Sequence, residues 1–213
     1  LPVGGQPPIV HVGDLAEGDQ FVGAVVEQAD VGGERDRVQL AAPVRGLPGG
    51  REEAGPGVPA LVQRLQQAEA GELGQIRLVQ MEYAQDWLSE RAEATGSKQA
   101  EWRTDPARSG AGGCIGDIGT HAYNLGAFVS GLKTRELLAE LTTFVEGRAL
   151  DDDVRVLLRY EGGAKGVLWA SQVAVGNENA LRLQVYGTRG GLEWCQENPN
   201  QLWFSRLGQP KQL

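Results

Sequence analysis

Gly110-Ala-Gly-Gly-Cys-Ile-Gly-Asp-Ile-Gly-Thr-His-Ala-Tyr-Asn-Leu-Gly-Ala-Phe-Val-Ser-Gly131 begins as a glycine-rich loop and turns into an apolar helix. Asp117 stands where loop becomes helix, and His121 follows four residues on. Aspartate at that place is a favoured N-cap, because its carboxylate accepts a free N–H of the first turn. Residues four apart share a helix face, so a carboxylate and an imidazole come to lie side by side at the helix mouth. Leu125, Phe128 and Val129 continue a stripe expected to be buried, and Gly131 is the expected C-cap. A lone aspartate before a helix is usually only a cap, and a lone histidine is usually structural or on the surface. The surrounding glycines weigh toward a site, since they let backbone approach a ligand closely, and imidazole exchanges a proton near neutral pH.

Downstream of this helix the pattern is that of strands. Arg135–Val145 is an apolar strand, and Val154–Tyr160 and Lys165–Gln172 flank the hairpin signal Glu161-Gly-Gly-Ala164. Ala180–Tyr186 alternates strictly, Gly187–Gly191 turns into Leu192–Trp194, and Leu202–Ser205 is the last strand. Upstream, Val58–Ala70 reads as an amphipathic helix with Pro59 in its first turn, and Gln75–Gln85 as a long strand presenting Val79, Met81 and Tyr83 to one side. Residues 89–113 read as a long polar loop feeding the Asp117/His121 helix. Short connections imply antiparallel pairing. The expected fold class is therefore α+β: a mainly antiparallel open sheet with helices on one face.

Composition divides the chain. It has 213 residues, enough for a real core. Of its Trp, Tyr and Phe residues only Phe21 precedes Tyr83, and no lysine precedes Lys98. Residues 1–57 carry dense Gly and Pro breakers and are expected to be irregular and mobile, with short strands at most at Phe21–Val26 and near Val38. Gly55-Pro-Gly-Val-Pro-Ala60 formally fits a dinucleotide loop but is rejected as one: Pro56 and Pro59 remove the donors that would cradle phosphate. A net charge of −8 argues against a nucleic-acid partner. No apolar run is long enough for a membrane span, and the start does not read as a signal peptide. Cys114 and Cys195 read as free thiols of a cytoplasmic protein, and no metal-ligand spacing is present. Trp169, Trp194 and Trp203 read as core or interface residues.

Three ordered motifs carry a resemblance: Gly71-Glu-Leu-Gly-Gln-Ile-Arg77; Trp102-Arg-Thr-Asp-Pro106; and Gly112-Gly-Cys-Ile-Gly-Asp-Ile-Gly-Thr-His121. With Tyr186-Gly-Thr-Arg-Gly-Gly-Leu-Glu-Trp-Cys-Gln-Glu-Asn-Pro-Asn200, they resemble the Gfo/Idh/MocA oxidoreductases, relatives of glucose–fructose oxidoreductase and inositol dehydrogenase. The resemblance covers roughly residues 58–213. It implies the C-terminal sheet domain of a protein that pairs such a domain with a Rossmann domain binding NAD or NADP. It implies His121 as general acid/base, Asp117 orienting it or the substrate, and Arg103 and Asn124 in substrate binding. The expected substrate is a sugar or polyol, and the expected assembly is a homo-oligomer through the sheet face.

No Rossmann fingerprint or Glu-Lys-Pro motif is found in this sequence, and the family's sheet domain is expected to continue past Leu213. Residues 1–57 fit either an out-of-frame translation of GC-rich DNA or a loop-rich extension. The chain alone is thus expected to bind no nicotinamide cofactor and to be inactive. Two other readings stand beside the oxidoreductase domain: a cofactor-free carbohydrate-binding or oligomerisation module, and a non-functional gene fragment. Nucleotide binding discriminates the first from these, since hydride transfer needs a cofactor.

Overall fold

The computed structural model describes residues 71–213 and the backbone of three short strands, β1 Ile9–Val12, β2 Val25–Gln28 and β3 Asp36–Gln39. The helix expected at Val58–Ala70, the glycine–proline pattern at 55–60 and the boundary at 57/58 lie outside the described residues.

Alternation builds the sheet. In the strand Asp153–Tyr160, Val154, Val156, Leu158 and Tyr160 are buried while Arg155, Leu157 and Arg159 are exposed, the period of two that gives a strand two distinct faces. Seven strands follow the first three: β4 Ile76–Ala84, β5 Thr134–Thr142, β6 Asp153–Tyr160, β7 Lys165–Ser171, β8 Ala180–Gly187, β9 Gly190–Cys195 and β10 Leu202–Arg206. They join one sheet in the order β10-β9-β8-β4-β7-β6-β5-β1-β2-β3. Every pairing is antiparallel except that of β4 with β7. The β6–β7 turn closes through Gly162 and Gly163, both left-handed at φ 77° and 93°, a conformation glycine adopts without a Cβ clash.

The apolar strand expected to run to Val145 stops at Thr142. Beyond it the N–H groups of Phe144 and Val145 donate to the Asp152 carboxylate at 2.8 and 3.0 Å instead of to a neighbouring strand. Residues 89–113 are more ordered than the polar loop expected. They hold a 3₁₀ turn at Ala92–Thr95 and two short helices, α1 Lys98–Arg103 and α2 Pro106–Ser109. Ser97 caps α1 by accepting from the Ala100 N–H, and Asp105 caps α2 by accepting from that of Ala107, with proline at the first helical position. Arg148 fixes the start of this segment. Its side chain is 1% exposed, and it donates to the Leu88 and Glu90 carbonyls and pairs with Glu93 and Asp152.

The main helix, α3 Thr120–Ser130, ends at Gly131 in the left-handed conformation, φ 65°. It lies on β4, β7 and β8. Its buried residues are Ala122, Gly126 and Val129. Phe128, expected on the buried stripe, is instead 66% exposed, and Leu125 is half-buried. The reason is close approach: a Cβ at Gly126 would lie 2.2 Å from the Met81 sulfur, so small residues, not large ones, face the sheet. The opposite sheet face carries the exposed apolar side chains Leu78, Leu157 and Val167. Trp169 and Trp194 are half-buried, and Trp203 is exposed with Lys211 over its ring.

Candidate functional site

The glycine loop reaches the sheet through one buried carboxylate. Asp151, just before β6, accepts from the N–H groups of Gly113 and Ile115 at 2.7 and 2.8 Å, and its carbonyl accepts from that of Cys114. A Cβ at Gly113 would lie 2.2 Å from the Asp151 carbonyl oxygen, so glycine is required there. Burial pushes the Asp151 carboxyl up, against the pull of the two N–H donors.

Asp117 is not the N-cap that its position suggested. A π-helical turn, Ile115–Gly119, precedes α3 and runs into it. Asp151 already serves the N–H groups at its start, so the Asp117 side chain is free to reach sideways. Such wide turns recur at functional sites. Asp117 Oδ1 accepts from Arg103 Nε at 3.1 Å. Its Oδ2 accepts from the same Nε at 3.0 Å and from Gln172 Nε2 at 2.7 Å. The Arg103 guanidinium lies 5.7 Å from the Trp87 ring centre and 5.6 Å from that of Trp102, within range of cation–π attraction. Among the described residues neither terminal nitrogen of Arg103 has a hydrogen-bond partner.

Asp117, His121 and Arg103 meet in one cleft of about 350 Å³, lined also by Tyr83, Gln85, Trp87, Gln99 and Ile118. His121 is exposed and meets Tyr83 edge-on, with ring centres 6.5 Å apart at 62°. Asn124 is exposed on α3, three residues past His121, and is not part of the cleft lining. The opposite wall is a hydrogen-bonded chain. Trp87 Nε1 donates to Gln85 Oε1, and Gln85 Nε2 and the Tyr83 hydroxyl both donate to Asn179 Oδ1. Burial first, then the Asp117 charge, pushes the Tyr83 hydroxyl pKa up, so it remains a donor at neutral pH.

Sequence reasoning missed Gln172, Tyr83, Gln85, Trp87 and Gln99. One signal was available: Gln172 continues the inward register of Leu168 and Ala170, and a polar side chain in an apolar register needs a partner. A larger cleft of about 690 Å³ lies on the other sheet face, between Phe144–Glu146 and Val173–Val175. Its buried carboxylate, Asp153, is engaged by Trp169 and Arg155, and no imidazole lines it. Of the two clefts only the smaller is lined by an imidazole. Among the described residues no group of three or more His, Cys, Asp and Glu is arranged for a metal ion, and no helix is long and apolar enough to cross a membrane.

Residues 62–193 match the model of the GFO/IDH/MocA C-terminal domain. The chain belongs to the GFO/IDH/MocA family. It is 48% identical to an oxidoreductase from Sinorhizobium meliloti of known structure, with a TM-score of 0.61, covering 74% of this chain and 40% of that one. It is 37% identical to an inositol dehydrogenase homolog from Azotobacter vinelandii complexed with NADH and myo-inositol, with a TM-score of 0.64, over 73% and 39% of the two chains. A levoglucosan dehydrogenase in complex with NADH and levoglucosan is 25% identical, with a TM-score of 0.62, over 72% and 42%. The chain thus spans about two fifths of each of these relatives, and what it shares with them is the GFO/IDH/MocA C-terminal domain.

Proposed function

We propose that this chain is the substrate-binding and oligomerisation domain of an NAD(P)-dependent oxidoreductase acting on a sugar or polyol hydroxyl. The observation that carries this reading is the convergence of Asp117, His121 and Arg103 on one cleft, in a chain whose relatives hold myo-inositol or levoglucosan. His121 accepts the hydroxyl proton as general base and returns it in the reverse direction. Asp117 accepts a hydrogen bond from the reacting or a neighbouring hydroxyl. The terminal nitrogens of Arg103 donate to substrate oxygens, and Asn124 contacts the outer end of a larger substrate.

The glycine loop does not fit the pyrophosphate of a nicotinamide cofactor. Its N–H groups at Gly113 and Ile115 are taken by Asp151, and a carboxylate in that place repels phosphate. Within residues 71–213 this loop offers no pyrophosphate site, so NAD or NADP is assigned to a separate nucleotide-binding domain. The exposed apolar row Leu78, Leu157 and Val167 supports a homo-oligomer through the open sheet face.

The test is a chimera joining the nucleotide-binding domain of the Azotobacter relative to this chain. It should reduce NAD or NADP with a polyol or sugar. His121→Ala should lower turnover by roughly 10²–10⁴-fold, the range for a lost general acid/base, with Tm unchanged because the side chain is exposed. Full turnover per folded molecule in that variant would remove His121 from the chemistry. Absence of turnover, with myo-inositol and levoglucosan still binding, would instead favour a carbohydrate-binding module.

A further inference from the structure

Gln172 joins the site from the end of β7, and its backbone is held on both sides. Its N–H donates to the Asp152 carbonyl at 2.8 Å, and its carbonyl accepts from the Leu88 N–H at 3.1 Å. Asp152 is itself fully buried and held by Arg148 and by the N–H groups of Phe144 and Val145. Gln172 is 2% exposed, so its amide starts from a fixed point and has little room to swing.

An ionised carboxylate offers about two acceptor positions on each oxygen. Oδ2 of Asp117 uses both, on Arg103 Nε and Gln172 Nε2. Oδ1 uses one, on Arg103 Nε. Among the described residues one acceptor position is left, and it is on Oδ1. Arg103 touches both oxygens at nearly equal distance, so it does not distinguish them. The contact that distinguishes them is Gln172.

We propose that Gln172 is a positioning residue: by occupying Oδ2 it turns Asp117 so that Oδ1 is the oxygen offered to a ligand hydroxyl. It touches no ligand and acts only through Asp117. This rests on the functional reading above for the identity of the ligand, but not for the orientation of the carboxylate.

The test uses the full 213-residue chain with Gln172→Met, which keeps length and removes the donor. Two readouts are taken. The first is the NMR signal of the Arg103 Nε–H without ligand, which should shift as the carboxylate rotates, while amide signals around Leu168 and Leu183 stay in place. The second is affinity for myo-inositol, which should fall about tenfold, the size of one hydrogen bond to a charged group. In an Asp117→Ala background Gln172→Met should then change affinity no further, because the contact it acts through is gone. An unmoved Arg103 signal, or an equal loss of affinity in both backgrounds, overturns the proposal. If the unsubstituted chain binds no myo-inositol, the functional reading fails for that ligand, and the Arg103 signal still decides the role of Gln172. If Gln172→Met does not fold, Gln172→Leu is read in the same way, since it too lacks a donor for Asp117 Oδ2.

Discussion

Asp151 and Gly113 are joined by a buried hydrogen bond of 2.7 Å across 38 residues of sequence. With its companion to Ile115, it ties the edge of β6 to the loop from which the site helix starts. Asp151→Ala leaves both donors buried and unpaired. It should cost about 2–6 kcal/mol, at 1–3 kcal/mol for each orphaned group. Urea denaturation measures this, and a loss below about 1 kcal/mol would contradict the role given to the pair.

Gly126 sets how closely α3 approaches β4. Glycine to alanine in an exposed helix gains about 1 kcal/mol from propensity. Here the new methyl would meet the Met81 sulfur and Cγ at 2.2 and 2.8 Å. Overpacking of that kind costs about 1–3 kcal/mol, so Gly126→Ala should destabilise. A rise in Tm would show that Met81 moves aside freely.

Glu93 and Asp151 tilt the acid side of the stability curve in opposite directions. Burial alone would raise the Glu93 carboxyl, but the Arg148 hydrogen bond, its own main chain, and the Arg148 and Arg91 charges hold it below its ordinary value of 4.5. A depressed native pKa gives stability that is present above the unfolded value and lost as pH falls through the native one. The difference in urea midpoint between the unsubstituted chain and Glu93→Gln should therefore shrink on acidification below about 4.5. Asp151, raised by burial, holds its proton longer in the native state. Its contribution is greatest below its ordinary value of 3.8 and is lost as pH rises through the native value. Equal midpoint differences for Glu93→Gln at pH 7 and in acid would remove the Arg148 pair as their source.

Cys114 is 0% exposed beside the site, and burial, reinforced by the charges of Asp151 and its neighbours, pushes its thiol far above the usual range. Since the thiolate is the reactive form, Cys114 should resist an alkylating reagent in the native protein at pH 8, while the half-buried Cys195 reacts. A thiol count should give one fast group, and two after unfolding. Two fast groups would mean that the loop around Cys114 opens readily.

The strands were legible because their signals are local. Val154 to Tyr160 and Ala180 to Tyr186 alternate cleanly, and Gly162-Gly163 marks the turn between β6 and β7. The pair Asp117 and His121 was legible as a spacing. The role of Asp117 was not, because the helical turns begin before it: Asp151, 34 positions further along the chain, holds the N–H of Ile115, and the Thr120 N–H, which Asp117 would cap, already donates to the Ile115 carbonyl. Phe128 misled for a related reason: hydrophobicity marks which residues favour burial, but close contact with Met81 selected Gly126 for the buried face. Gln172 and Arg103 reach Asp117 from a strand end and from a six-residue helix. Contacts of that kind have no period to read, although the inward register of Gln172 was a clue.

The place of β4 constrains how the molecule can be made. It precedes the other long strands of the described residues, yet both its neighbours come late: Leu78 pairs with Lys165, and Ile76 with Gly187. Until those residues leave the ribosome, β4 has two bare edges, and its apolar row of Val79, Met81 and Tyr83 has α3 but no neighbouring strand beside it. Pairings of such separation are slow to form, and bare strand edges are templates for association with other chains. Both edges of β4 therefore stay open to association until residues 165–187 have been made.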